Sequence, residues 1–277
     1  MTLVLSCISP SHVVQVSDRR LTWLTGANAN RTAEDSSNKA VVVCGRLVLA
    51  YTGLAQIGRS KTDEWALSVA AEVSPYNPQR VCEAIALRAT EDFRGIALRR
   101  SLRRHAFLIS GWSRINDPNA PLTPFVSAIS NALNSTWQWL PEAEDIFQVR
   151  TVPLGNRPYL LAAVGQPIEA LALMRLRRGV RSYLRRERGA EAYIQMLAAA
   201  VRETAARNRL VGKNLMAISL PLDSLESGGG ISIPLAFPMQ SGQAVALYLP
   251  ARSESIRYGP NYTCNGMIFS RMSVRPG

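Results

Sequence analysis

Thr2 is the residue whose position suggests chemistry most directly, because it can be both a nucleophile and its own base. A small residue after the initiator methionine normally permits removal of Met1, which would leave a hydroxyl and a free α-amine on one residue. The amine titrates near about pH 8 and can accept the hydroxyl proton without a histidine. Thr2 is therefore a candidate for N-terminal nucleophile catalysis.

Three further residues have the chemistry to complete such a site: Asp18, Lys39 and Gly53. An ammonium at Lys39 within about 4–6 Å would lower the pKa of the α-amine of Thr2. Asp18 would hold Lys39 by a charge-assisted hydrogen bond and offset its partial burial. Gly53 has no side chain, so a substrate carbonyl could approach its backbone N–H, which would stabilise an oxyanion. The chain has few lysines, which makes a lysine at this position less accidental.

The first predicted hairpin positions Thr2 and Asp18. An apolar strand over residues 3–8 is followed by turn residues at 9–11 and by a returning strand over residues 13–16. Residues equidistant from the turn face each other in an antiparallel pair, so Thr2 is expected opposite Asp18 or Arg19.

A second predicted hairpin positions Lys39 and Gly53. Apolar strands over residues 40–43 and 47–51 flank a tight turn near Gly45. The same geometry places Lys39 opposite Thr52 or Gly53. If the open ends of both hairpins lie side by side in one sheet, the hydroxyl, amine, carboxylate and ammonium groups converge.

The rest of the chain alternates between predicted strands and pairs of helices. Helices are predicted over residues 59–73, from Asn77 onward, and over residues 167–186 and 189–207. Strands are predicted at residues 105–110, 124–129, 147–152, 159–164, 215–220, 231–237, 244–249 and 267–272. This order predicts antiparallel sheets faced by helix pairs, a layered α+β fold.

Composition narrows the class of protein. The chain has 277 residues, nearly half of them apolar, which indicates a globular protein built around one main domain. It has no apolar run long enough to span a membrane and no secretory signal, so we expect a cytoplasmic location. The four cysteines are far apart and are expected to be free and mostly buried: Cys7, Cys44, Cys82 and Cys264.

Two histidines, His12 and His105, are too few for a histidine-based metal site, and we expect neither a metal nor a cofactor. His12 is interpreted as a turn residue and His105 as a strand-edge residue. The net charge of +12 leaves a nucleic-acid-binding module as one alternative, to be tested by the salt dependence of binding. The predicted helix over residues 167–186 carries an arginine stripe opposite its apolar face, which indicates a solvated or subunit-facing surface instead.

The segments around these four residues resemble a known family. The segments are Met1-Thr2-Leu3-Val4, Val16-Ser17-Asp18-Arg19-Arg20, Asn38-Lys39-Ala40-Val41 and Tyr51-Thr52-Gly53-Leu54. They resemble successive motifs of proteasome β-type subunits and of the peptidase subunit of a simpler bacterial ring protease, both N-terminal-nucleophile hydrolases. The resemblance implies a four-layer αββα sandwich in which Thr2 is nucleophile and base. It also implies that Asp18 and Lys39 support Thr2 and that the Gly53 N–H binds the oxyanion.

The resemblance further implies cleavage of a peptide or other amide bond through a Thr2 acyl-enzyme. The protein would be a homo-oligomer, plausibly a ring, with a possible ATPase partner and with neither nucleic acid nor a membrane as a partner. The hydrolase domain is expected over residues 1–224, and residues 225–277 are expected to form a β-rich extension of unknown role.

Three positions depart from the family pattern. Gln166, Asn208 and Val211 stand where the family has Ser, Asp and Ser, which help to orient the terminal amine. These replacements motivate the alternative of an inactive scaffold or assembly subunit with the same fold.

Overall fold

The computed structural model describes residues 2–74, 77–114, 120–186 and 188–223, with short segments at 231–232, 244–251, 257–258, 260–264, 267–269 and 273–274. Its helices are α1 (Thr62–Ala71), α2 (Pro78–Arg94), α3 (Ala170–Arg185) and α4 (Ala190–Arg207), with a 3₁₀ turn at Arg100–Leu102. The predicted strand at 231–237 is described only at Ile231–Ser232, and the rest lies outside the described residues.

The strands of the first half are β1 (Leu3–Ile8), β2 (His12–Asp18), β3 (Leu21–Thr22), β4 (Thr32–Glu34), β5 (Ala40–Val43), β6 (Leu47–Thr52), β7 (Gln56–Ile57), β8 (Ser60–Lys61), β9 (Ala106–Ser113) and β10 (Thr123–Ser130). Those of the second half are β11 (Gln148–Pro153), β12 (Leu160–Gly165), β13 (Leu215–Pro221), β14 (Ile231–Ser232), β15 (Ala244–Leu249), β16 (Arg257–Tyr258), β17 (Asn261–Cys264), β18 (Met267–Phe269) and β19 (Ser273–Val274).

The longer strands form two large sheets. One has six strands in the order β12-β1-β2-β13-β15-β14, and the other has seven in the order β11-β10-β9-β6-β5-β17-β18. Most neighbours are antiparallel, but β14 runs parallel to β15 and β17 runs parallel to β5. The fold is therefore mixed α+β, with antiparallel pairing at the centre of each sheet.

Alternation along the strands builds three hydrophobic clusters. In β1, Leu3 and Leu5 pack in a cluster with α3 and α4, whereas Val4 and Ile8 pack in a cluster with strands of the other sheet. The third cluster joins α1 and α2 to the outer face of the seven-stranded sheet. Successive side chains of a strand point to opposite faces. Both faces of the central strands are covered here, so these strands read as continuous apolar runs.

The two N-terminal hairpins do not share a sheet, contrary to the expectation from sequence. β1 and β2 lie in the six-stranded sheet, and β5 and β6 lie in the seven-stranded sheet. The first register is as predicted, since Val4 pairs with Ser17 and Thr2 therefore comes opposite Arg19. The second places Lys39 opposite Tyr51, one position before Thr52, because Ala40 pairs with Ala50 around a turn centred on Gly45.

Four described strands from beyond residue 225 belong to the main sheets, β14 and β15 in the six-stranded sheet and β17 and β18 in the seven-stranded sheet. β15 pairs with β13, and β17 pairs with β5 beside the β5–β6 turn. A disulfide between Cys44 and Cys264 fastens β17 to that turn, with their Cα atoms 4.5 Å apart. The prediction of free thiols is therefore wrong for this pair. It is confirmed for Cys7 and Cys82, which are buried and free, and burial raises the pKa of both thiols to about 12.

Among the described residues, none of the helices has the length and apolar character needed to cross a membrane.

Candidate active site

Lys39 lies at the centre of the site and is completely buried. Its Nζ donates hydrogen bonds to the hydroxyl oxygen of Thr2 and to the backbone carbonyl of Arg20. Asp18 Oδ1 lies 3.5 Å from the same nitrogen. The structure thus brings together Thr2, Asp18 and Lys39, although their strands belong to different sheets.

Asp18 is held mainly by the backbone. Its Oδ2 accepts a hydrogen bond from Leu3 N at 2.7 Å, and its Oδ1 accepts from Arg20 N at 2.9 Å and from Gly212 N at 3.2 Å. The charge-assisted hydrogen bond that was expected between Asp18 and Lys39 is long, at 3.5 Å. Because Asp18 is fully buried, its charge acts on Lys39 through a medium of low dielectric, where attraction over this distance is strong.

The environment lowers the pKa of Lys39. Burial is the largest cause, the Asp18 carboxylate opposes it, and the Arg19 guanidinium adds to it. A lowered pKa increases the fraction of neutral amine, and a neutral amine beside the Thr2 hydroxyl can accept its proton. From the sequence, Lys39 was expected to act only on the pKa of the Thr2 α-amine. In the structure Lys39 also contacts the Thr2 hydroxyl, and the spacing of the two residues along the chain could not predict this contact.

The end of β6 approaches Thr2 from the seven-stranded sheet. The Thr52 hydroxyl donates to the backbone carbonyl of Thr2 at 3.1 Å, and Gly53 follows directly. Gly53 has φ +119°, and a Cβ there would lie 2.6 Å from the carbonyl oxygen of Arg104. Glycine at this position is thus required by a positive φ and by the close approach of β9, a reason that was not visible in the sequence.

The end of β12 approaches Thr2 from the other side. Gln166 N donates to the Thr2 carbonyl at 3.0 Å, so that carbonyl accepts two hydrogen bonds. Gly165 has φ +105°, and a Cβ there would overlap the same carbonyl oxygen. Gly165 was missed as a site residue, although a glycine that ends a buried strand is a recognisable signal of close backbone approach.

The three positions that depart from the family pattern behave differently from one another. The Asn208 side chain donates to Gln166 Oε1 at 2.8 Å, so these two amides partner each other beside Thr2. Val211 is fully buried in the cluster beneath α3 and α4. Two of the three positions are thus amides that bond to each other, and the third is an apolar residue of the core.

The segment between β2 and β5 is tied to the site by Arg20. Its guanidinium binds Asp35 with two hydrogen bonds of 2.6 and 2.8 Å, and it donates to the Arg209 carbonyl at 2.8 Å. The backbone of the same residue accepts from Lys39. Arg20 therefore fixes the polar segment that leads into Lys39, a contact that the sequence did not predict because its partners are distant along the chain.

The two histidines have different surroundings. His12 is the first residue of β2 and not a turn residue as predicted, and its Nδ1 lies 2.8 Å from the hydroxyl of Ser11 in the preceding turn. His105 lies directly before β9, at the edge of that strand as interpreted, and is completely buried. Among the described residues, no group of three or more His, Cys, Asp or Glu side chains is arranged to hold a metal ion.

Comparisons with known proteins give similarities among solved structures only. No protein-family model matches the chain, and no curated protein matches it. Among solved structures, the chain is similar to the Gly-1 mutant of Anbu from Hyphomicrobium sp. strain MC1. The identity is 15%, the TM-score is 0.48, and the match covers 79% of this chain and 80% of that one. At that identity and TM-score the similarity carries no conclusion about function.

Proposed function

We propose that this protein is an N-terminal threonine hydrolase that cleaves peptide or other amide bonds through a Thr2 acyl-enzyme. The observation that supports this most is the direct hydrogen bond between the Thr2 hydroxyl and the buried amino group of Lys39, whose pKa burial lowers, with Asp18 beside it. A nucleophile in contact with a base, which is in turn oriented by a third group, is the arrangement that nucleophilic catalysis requires.

The proposed reaction has two stages. Thr2 Oγ1 adds to the substrate carbonyl carbon, and its proton passes to the α-amine or to Lys39, while the Gly53 N–H stabilises the oxyanion. The amide C–N bond then breaks, the leaving amine takes that proton, and an ester remains on Thr2. Water gives a proton to the same base and adds to the ester, the bond between the acyl carbon and Thr2 Oγ1 breaks as the base returns that proton to Oγ1, and the acid product leaves and loses its proton to solvent.

The remaining parts of the proposal concern architecture and context. We propose that the three hydrophobic clusters are the interfaces of a four-layer αββα sandwich, in which residues 1–224 carry the hydrolase fold and residues 225–277 add strands to both sheets. We further propose that the protein forms a homo-oligomeric ring, works without a cofactor and has an ATPase as a partner. Counting free thiols in the native protein tests a cytoplasmic location, which we also propose: four free thiols would support it, whereas two, with Cys44 and Cys264 bonded as in this structure, would favour an oxidising compartment.

Mass spectrometry of the native protein tests the proposal directly. The intact mass should show that Met1 is absent, and a β-lactone probe should add one equivalent to Thr2. The Thr2→Ala variant should not be labelled, whereas Thr22→Ala, which changes a threonine in β3, should be labelled like the wild type. A retained Met1, or a processed protein that the probe does not label, would contradict the proposal.

The alternative is an inactive scaffold with the same fold. It is favoured by the departures at Gln166, Asn208 and Val211 and by the burial of Thr2, which is only 4% exposed. This alternative predicts that Thr2→Ala changes neither hydrolysis nor assembly. The oligomeric mass of the variant and its turnover of a fluorogenic peptide therefore separate the two functions.

A further inference from the structure

A buried histidine anchors the segment next to the proposed oxyanion donor. His105 Nδ1 accepts a hydrogen bond from Leu54 N at 3.0 Å. Leu54 directly follows Gly53, and on the other side of Gly53 the Thr52 hydroxyl is bonded to the Thr2 carbonyl. Gly53 is therefore held between two anchors, one on each neighbouring residue.

The packing of Gly53 depends on the same histidine. A Cβ at Gly53 would lie 2.7 Å from His105 Nδ1 and 2.9 Å from His105 Cα. The glycine thus rests directly on the histidine, and its backbone cannot move toward β9. Such contact restricts which way the peptide between Thr52 and Gly53 can turn.

The surroundings of His105 keep its ring neutral and fixed. The ring lies among Tyr51, Phe93 and Phe107, with centroids 5.8, 5.2 and 4.5 Å away. Burial lowers the pKa of His105 to about 3, so Nδ1 is an acceptor at neutral pH and the proton resides on Nε2. Among the described residues Nε2 has no hydrogen-bond partner, so the bond from Leu54 N to Nδ1 is the polar contact that fixes the ring.

The backbone of His105 is equally constrained. Its N–H donates to Asn131 Oδ1 at 2.9 Å, and its carbonyl accepts from the Ser130 hydroxyl at 2.7 Å. These bonds fix the start of β9 to the end of β10. The ring is consequently carried by a rigid part of the seven-stranded sheet, as a precise site requires.

We propose that His105 is a positioning residue for the oxyanion-binding peptide. It takes up the Leu54 N–H and thereby orients the backbone so that the Gly53 N–H faces the substrate carbonyl at Thr2. The proposal rests on the proposed hydrolase function. It assigns the histidine no proton transfer and no contact with the substrate.

Two substitutions separate this role from simple packing. His105→Asn keeps an acceptor at the same branch of the side chain, whereas His105→Leu keeps apolar volume but has no acceptor. We expect His105→Leu to lower kcat on a fluorogenic peptide by a factor on the order of 10², as for a lost oxyanion donor, with KM nearly unchanged. His105→Asn should recover most of kcat. Equal impairment of both variants, or an unchanged kcat in His105→Leu, would overturn the proposal.

A nuclear magnetic resonance measurement tests the anchor without activity. ¹⁵N spectra of the wild type should show His105 protonated at Nε2 only, and the Leu54 amide should exchange slowly with solvent. In His105→Leu that amide should exchange at least about tenfold faster. A ring protonated at Nδ1 in the wild type would overturn the anchor. Failure of the β-lactone to label wild-type Thr2 would instead contradict the hydrolase function and leave these spectra to decide the anchor separately.

Discussion

The two sides of the candidate site are built from different materials. On the side of the six-stranded sheet, Asp18 is surrounded by backbone N–H groups and faces the ammonium of Lys39. On the side of the seven-stranded sheet, Gly53 rests on a neutral histidine within an aromatic cluster. Electrostatic interactions and hydrogen bonds thus hold the first side, which we call the polar side, and close packing holds the second, which we call the aromatic side.

This difference indicates how the labour is divided in the proposed mechanism. The polar side governs where protons reside, because burial and the Asp18 carboxylate act in opposite directions on the pKa of Lys39. The aromatic side governs only where a backbone N–H points. Substitutions on the two sides should therefore fail in different ways.

Asp18→Asn should produce the largest loss. It would leave the Lys39 ammonium buried without a counter-charge, and breaking a buried ion pair costs about 3–5 kcal/mol. Urea unfolding should show a loss of this size in the free energy of unfolding. Asp35→Asn is the matched control, since its pair with Arg20 is partly exposed and contributes about 1 kcal/mol or less. Equal losses in both variants would remove the distinction between the two pairs.

Gly53→Ala should produce the next largest loss of stability. A Cβ would meet the carbonyl of Arg104 at 2.6 Å in a backbone with positive φ, so we expect a loss of more than about 2 kcal/mol in the free energy of unfolding. Gly58→Ala is the control, because Gly58 also has positive φ but has no atom within 4 Å of its Cβ position, and it should cost about 1 kcal/mol. Similar melting temperatures for the two variants would contradict the close packing of Gly53.

Acid should lower the free energy of unfolding through protonation of His105 on the aromatic side. Burial lowers the pKa of His105 from 6.5 to about 3, so the folded state binds fewer protons than the unfolded state between these values. The free energy of unfolding should fall as the pH drops through this window, by at most about 1.4 kcal/mol per pH unit. His105→Asn should lack this component. His12, whose pKa burial also lowers, is present in both proteins and does not affect the difference.

Thr52→Val should have the smallest effect on stability, because it removes one buried hydrogen bond, worth about 1 kcal/mol. That bond joins the two sides of the site, so β-lactone labelling of Thr2 should slow as well. Thr204→Val removes a comparable hydrogen bond within α4 and should leave labelling unchanged. If labelling slows equally in both variants, the bond between the two sides has no special role.

Much of the local structure could be predicted from the sequence. Apolar runs and turn residues placed the N-terminal hairpins, and the predicted helices lie within a few residues of the bounds of α1, α3 and α4 and of the start of α2. Hairpin geometry placed Thr2 opposite Arg19, next to Asp18, but the approach of Lys39 from the other sheet did not follow from it.

The sequence could not predict which elements pack together over long separations. The two hairpins belong to different sheets, and each sheet is completed by strands from distant parts of the chain, such as β13 beside β2. Local patterns in the sequence do not show such pairings. The surroundings of His105 could not be predicted because they depend on Leu54 and on the rings of Tyr51, Phe93 and Phe107. The disulfide was missed because its cysteines are separated by 220 residues.

The bond between Cys44 and Cys264 closes most of the polypeptide into a covalent loop. A protease that cuts once anywhere inside this loop would leave both fragments joined as a single molecule. They would separate on a denaturing gel only after treatment with a reductant.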